Sequence, residues 1–111
     1  MSKENLTLVQ SSGNVFKDMG FSDAEQYLAK AQLASRINTI IQSRDLTQKQ
    51  AGDILKLRQP KVSALLRGDL DGFSMERLFV FLTRLDQNVQ IIIKDKPKSS
   101  QKPAMLHIAF A

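Results

Sequence analysis

The chain contains no cysteine and no tryptophan, and its only histidine is His107. The missing thiols exclude disulfides, thiolate nucleophiles and Cys-ligated zinc together, and one imidazole cannot by itself build a metal site. No metal or cofactor is therefore expected. The five glycines stand singly at turns, so a glycine-rich phosphate-cradling loop is absent. Nowhere do about 18 apolar residues run together, and the start, MSKENLTLVQ, lacks the basic and apolar regions of a secretory signal. These absences imply a soluble, cytoplasmic protein. The carboxylates Asp23, Glu25, Asp53, Asp69, Asp71 and Glu76 fall at helix starts and loops, where capping and solubility account for them, and His107 has no partner to orient it. No enzyme is expected. Tyr27 and the six phenylalanines are not arranged as a stacking platform for single strands, and most belong in a core.

What is present is one domain's worth of chain: 111 residues, 42% hydrophobic, with a core that is adequate but thin. Sixteen Lys and Arg against eleven Asp and Glu give a net charge of +5 and a pI near 9.8, a balance that favours a polyanionic partner. The distribution is more telling than the sum. Lys56, Arg58, Lys61 and Arg67 cluster around one predicted turn, with Asp69, Asp71 and Glu76 following it. Basic and apolar faces are not combined on one long surface helix, so membrane binding is not expected.

Residues 1–20 form an N-terminal arm without sustained periodicity. Ser22 and Glu25 make a capping box, and the apolar row Leu33, Ile37, Ile40 and Ile41 predicts a long amphipathic helix from 23 to about 43. Thr47 and Gln50 repeat the box before a short helix, about 48–55, burying Ala51, Ile54 and Leu55. A third, about 60–67, ends where Gly68 supplies a left-handed residue. Ser74 caps a fourth, about 75–85, with Phe73 and Leu78 spaced as a hydrophobic staple. That helix is apolar nearly all round, so one side needs a cover beyond the core. Next, VQIIIK alternates Val89, Ile91 and Ile93 on one face, which predicts a strand over 89–94. An unpaired strand must find a mate. Residues 95–111 are a basic linker, DKPKSSQKP, followed by AMLHIAFA, which reads equally as a second strand, a docking peptide or a free tail.

Two short helices joined by three residues, the second ending at glycine, have the layout of a helix-turn-helix. At about 100° per residue, Val62, Leu65 and Leu66 fall on one side of the third helix, and Pro60, Ser63, Ala64 and Arg67 on the other with Lys61 on a flank. An element entering the roughly 12 Å wide major groove needs small residues at the centre of its outer face and polar or cationic ones around it. Ala64 would permit close approach, and Lys61 and Arg67 would reach phosphates or guanine edges. Pro60 suits the first turn, whose N–H groups lack intrahelical partners and favour a phosphate. The blander alternative is a small amphipathic helix with a solvated basic side.

The run LTQKQAGDILKLRQPKVSALLRG, residues 46–68, resembles the helix-turn-helix of phage-repressor-like, Xre-type regulators at Leu46-Thr47-Gln48, Leu55, Gln59-Pro60, Val62-Ser63 and Arg67-Gly68. In that family the glutamine opening the second helix contacts a phosphate and braces a base-reading glutamine at the start of the recognition helix. The resemblance assigns these roles to Gln48 and Gln59, and a glutamine amide can pair in bidentate fashion with adenine. Together with the outer face of the third helix, the expected DNA-contact set is Thr47, Gln48, Lys49, Arg58, Gln59, Lys61, Ser63, Ala64 and Arg67. Two positions depart from the pattern: Lys56 replaces the usual turn glycine, at about 1 kcal/mol if left-handed, and Arg58 replaces a serine.

Over residues 13–94, including GNVFKDMGF and QPKVSALLRGDLDGFSMERL, the chain is similar to HigA-like antitoxins. That resemblance implies a nucleoid-associated homodimer that binds its own palindromic operator and neutralises a RelE-superfamily ribonuclease toxin. The expected fold is mainly α, four to five helices, with strand 89–94 pairing across a dimer. Its interface would use Phe79, Val80, Val89, Ile91, Ile92 and Ile93, and residues 21–94 would form the DNA-binding and dimerisation domain. Pairing of that strand within the chain, with residues near 5–9 or 105–110, is the competing arrangement. A phage-type repressor acting without a toxin is the competing function, and a chiefly protein-binding module is a third.

Overall fold

The computed structural model describes residues 22–111. The N-terminal arm and the stretch GNVFKDMGF lie outside the described residues. Four helices follow in order: α1 Asp23–Ser43, α2 Gln48–Leu55, α3 Gln59–Arg67 and α4 Met75–Arg84.

Three of the four starts, those of α1, α2 and α4, are set by a side-chain cap that the sequence displays. At α1 the Ser22 hydroxyl accepts from the Glu25 N–H at 3.1 Å while the Glu25 carboxylate accepts from the Ser22 N–H. At α2 the Thr47 and Gln50 pair repeats the reciprocal bonding at 3.1 and 2.9 Å. At α4 the Ser74 hydroxyl accepts from the Arg77 N–H, and the staple residues Phe73 and Leu78 are both buried. These bonds satisfy amides that a helix start would otherwise leave open.

The core is one cluster. Ala29, Leu33, Ala34, Ile37, Ile40 and Ile41 line the buried face of α1, and Met75, Leu78, Phe79, Phe81 and Leu82 that of α4. Ala51 and Leu55 from α2 and Val62 and Leu65 from α3 complete it, with Leu70 and Phe73 from the α3–α4 loop. α1 packs against α4 and α3, and α2 against α3 and α4. Two arginines tie helix ends together: Arg44 donates to the Leu85 carbonyl at 2.8 Å, and Arg84 to the Leu55 carbonyl at 2.8 Å. Each caps a carbonyl at a helix end. Glu76 is buried with neither carboxylate oxygen hydrogen-bonded among the described residues. Its place in the first turn of α4, at the positive end of the helix dipole, offsets part of that cost.

The expected β-strand is not there. Among the described residues there is no strand, so the strand over 89–94 and its pairing across a dimer are corrected. Val89 and Ile91 pack against the core as an irregular segment, while Ile92 and Ile93 are exposed. Alternation and β-branching describe a strand's fit to a pleated surface but do not supply the partner whose backbone completes the ladder. The pairing with 105–110 is absent as well, because those residues lie along α1; residues 5–9 lie outside the described residues. Nor does α4 need an outside cover: Phe79 is buried and Val80 half-buried within the chain.

The tail AMLHIAFA is a docking segment. Leu106 and Ile108 pack against the core cluster, the Leu106 N–H donates to the Glu25 carboxylate at 3.3 Å, and the Arg36 guanidinium lies 4.8 Å from the centre of the Phe110 ring. Residues 106 to 110 thus accompany α1 from its first turn to its middle. A four-residue extended step and the rise of eleven helical residues are similar lengths, roughly 13 and 16 Å, so the two can run side by side.

Candidate nucleic-acid interface

The local geometry of the α2–α3 turn follows from three residues. α2 ends at Lys56, whose φ and ψ of 57° and 47° place it in the left-handed region. The Lys56 and Leu57 amides both turn back to the Gly52 carbonyl, the latter at 2.9 Å. This reversal is the one normally given to glycine, and Lys56 adopts it with a Cβ. Gly52 was not singled out in the sequence, yet the turn closes directly on it. A Cβ there would lie 2.7 Å from the Leu57 carbonyl oxygen and 3.2 Å from a Val62 methyl. An isolated glycine inside a helical pattern was the available signal.

α3 begins at an N-cap Arg58 that makes no side-chain cap bond, carries Pro60 in its first turn and ends at Gly68, φ 82°. The bond from the Asp69 N–H to the Ala64 carbonyl, 2.9 Å, completes the left-handed exit. Val62 and Leu65 are fully buried and Leu66 half-buried. The helix is therefore held by one face.

The other face is polar and open. Arg58, Gln59, Pro60, Lys61 and Arg67 are exposed, as are Thr47, Gln48 and Lys49 at the start of α2. Ser63 and Ala64 are half-buried, Ala64 in contact with the core, so the small centre of the ridge sits low between its cationic ends. Among the described residues the Gln48 and Gln59 amides bond neither to each other nor to another group. Arg67 is the restrained member: it donates to the Ser63 hydroxyl at 2.8 Å and stands 3.8 Å from the Asp69 carboxylate, with Arg67 and Asp69 both well exposed. Lys61 leans the other way, its ammonium 5.2 Å from the centre of the Phe73 ring. The proposed dimer residues are divided. Phe79, Val80, Val89 and Ile91 are wholly or partly buried in their own chain, whereas Ile92 and Ile93 are 64% and 86% exposed. No helix among the described residues is long and apolar enough to cross a membrane.

A short helix buried on one side, cationic on the other and set by a three-residue turn against a capped helix defines a helix-turn-helix DNA-binding protein. The helix-turn-helix domain family matches residues 15–94. A solved structure described as an XRE-family transcriptional regulator is similar to the chain with a TM-score of 0.78 and 42% identity, over 81% of this chain and 100% of that one. No curated protein matches. The chain belongs to the Xre-type helix-turn-helix family of DNA-binding transcriptional regulators.

Proposed function

We propose that the protein is a sequence-specific repressor in which α3 is the recognition helix. The observation that carries this reading is the two-sidedness of α3: Val62 and Leu65 anchor it, while Gln59, Pro60, Lys61 and Arg67 stand in solvent beside the exposed Thr47, Gln48 and Lys49. Gln59 reads a base edge, Gln48 and Lys49 hold phosphates on one flank, and Arg58, Lys61 and Arg67 hold them along the groove. Ser63 and Ala64 form the floor between. The helix starts add oriented N–H groups for phosphate.

The protein acts as a homodimer on a palindrome whose half-sites are about one helical turn of DNA, roughly 34 Å, apart or a multiple of it. The bare Ile92 and Ile93 support a second copy on that side of the molecule. Further, it serves as an antitoxin that represses its own operon and sequesters a RelE-superfamily toxin; the resemblance over residues 13–94 supports this role.

Footprinting on the chain's own promoter should reveal two related half-sites, and co-expression with the neighbouring reading frame should yield a stable complex. Operator binding without such a complex would identify a repressor working without a toxin. Gln59→Ala should flatten base preference at one or two positions, at about 1–3 kcal/mol of discrimination. Lys61→Ala should weaken matched and scrambled duplexes alike and reduce the slope of log affinity against log salt by about one. Parallel changes in both variants would refute this division of labour.

A further inference from the structure

We infer that Gly72 and Phe73 form a shelf that positions the Lys61 ammonium beside the recognition helix, with its N–H donors left free for a phosphate. This rests on the reading of α3 as the DNA-contacting helix. An ideal Cβ at Gly72 would lie 2.6 Å from the Lys61 Nζ and 4.0 Å from its Cε, and meets nothing else within 4 Å. Gly72 does not occupy the left-handed region; among the described glycines only Gly68 does. The backbone therefore does not require glycine at 72, whereas the Lys61 side chain fills the space that a Cβ would take.

The ring completes the shelf. Phe73 is buried and held edge-on by Phe81, centroids 5.9 Å apart, so its position is fixed by the core. The ammonium rests 5.2 Å from that ring's centre, within cation–π range. Among the described residues Lys61 makes no side-chain hydrogen bond and no ion pair. A ring face attracts the charge without occupying its donors, in contrast to Arg67, which already donates to Ser63. A lysine held in place also loses less rotamer freedom when a phosphate arrives. Arg77, 5.8 Å from the same ring, adds a second positive group to the shelf.

The test compares the full chain with Gly72→Ala, Lys61→Ala and the double variant, using the promoter duplex and a scrambled duplex at low salt. In the free protein the Lys61 ε-methylene protons should show an upfield ring-current shift, which Gly72→Ala abolishes while the thermal midpoint stays within a few degrees. Gly72→Ala should weaken both duplexes about three- to tenfold, and have no further effect once Lys61 is alanine. Absence of the upfield shift in the natural chain, or an equal loss of affinity with and without Lys61, would overturn the shelf. If Lys61→Ala left affinity and salt slope unchanged while Gln59→Ala flattened base preference, the shelf would fail and the DNA reading would stand. If the natural chain bound neither duplex, both would fail.

Discussion

At the residue scale, the α2–α3 turn rests on two positions, Gly52 within α2, where glycine is needed, and Lys56 at its end, where glycine would be easier. Gly52 sits where any Cβ meets a backbone oxygen at 2.7 Å, and backbone cannot swing aside as a side-chain tip can. Gly52→Ala should therefore lose about 1–3 kcal/mol in urea denaturation, despite alanine's better helix propensity. Lys56→Gly should move the other way, gaining up to about 1 kcal/mol as the left-handed penalty is relieved. A stabilised Gly52→Ala would show that α2 and α3 do not cross this closely. The strain at Lys56 was legible in the sequence, because a family glycine position held a lysine followed by Leu57, Arg58 and a new helix start. For Gly52 the sequence offers only an isolated glycine inside a helical pattern, because the carbonyl that makes it necessary is brought against it by the fold. The same holds for Lys61, whose resting place depends on Phe73 lying across the loop.

At the scale of elements, the four helices could be read from local chemistry. Ser22 with Glu25, Thr47 with Gln50, and Ser74 with Phe73 and Leu78 announce starts that the bonds at 3.1 to 3.2 Å realise. Caps involve residues three apart, so nothing remote has to be known. The segment from Val89 to Lys94 shows the limit of that reasoning: its alternation is real, and Val89 and Ile91 do turn toward the core, but a ladder needs a second backbone. The tail failed to declare itself for the same reason. Leu106, Ile108 and Phe110 lie on alternate positions, and their partners, Glu25 and Arg36, are more than seventy residues away in sequence. The family match ends at residue 94, so this strap lies outside the matched domain. Deleting residues 104–111 should cost about 1–2 kcal/mol, given three partly covered apolar side chains, and should raise amide exchange in the solvent-facing middle of α1. DNA affinity should hold within about twofold, because the strap docks on α1 and not on α2 or α3; a collapse of binding would place the tail at the interface.

For the whole molecule, nine of the Lys and Arg side chains around the helices fall into two groups with different work. Arg44 and Arg84 donate to carbonyls at helix ends, and Arg36 and Arg77 lie against aromatic rings. Lys49, Lys56, Arg58, Lys61 and Arg67 remain exposed around the turn and α3. Charge alone would not separate these groups; burial of Val62 and Leu65 does, because it fixes which side of α3 faces outward. That orientation is the central claim. It is tested most directly by titrating the full chain with its own promoter duplex at about 50 mM salt, where phosphate contacts are strong, and following backbone amide chemical shifts. The changes should concentrate at Thr47 to Lys49 and Arg58 to Arg67, with the middle of α1 and the tail unmoved. Shifts confined to α1 and the tail, or no shifts at all, would contradict it.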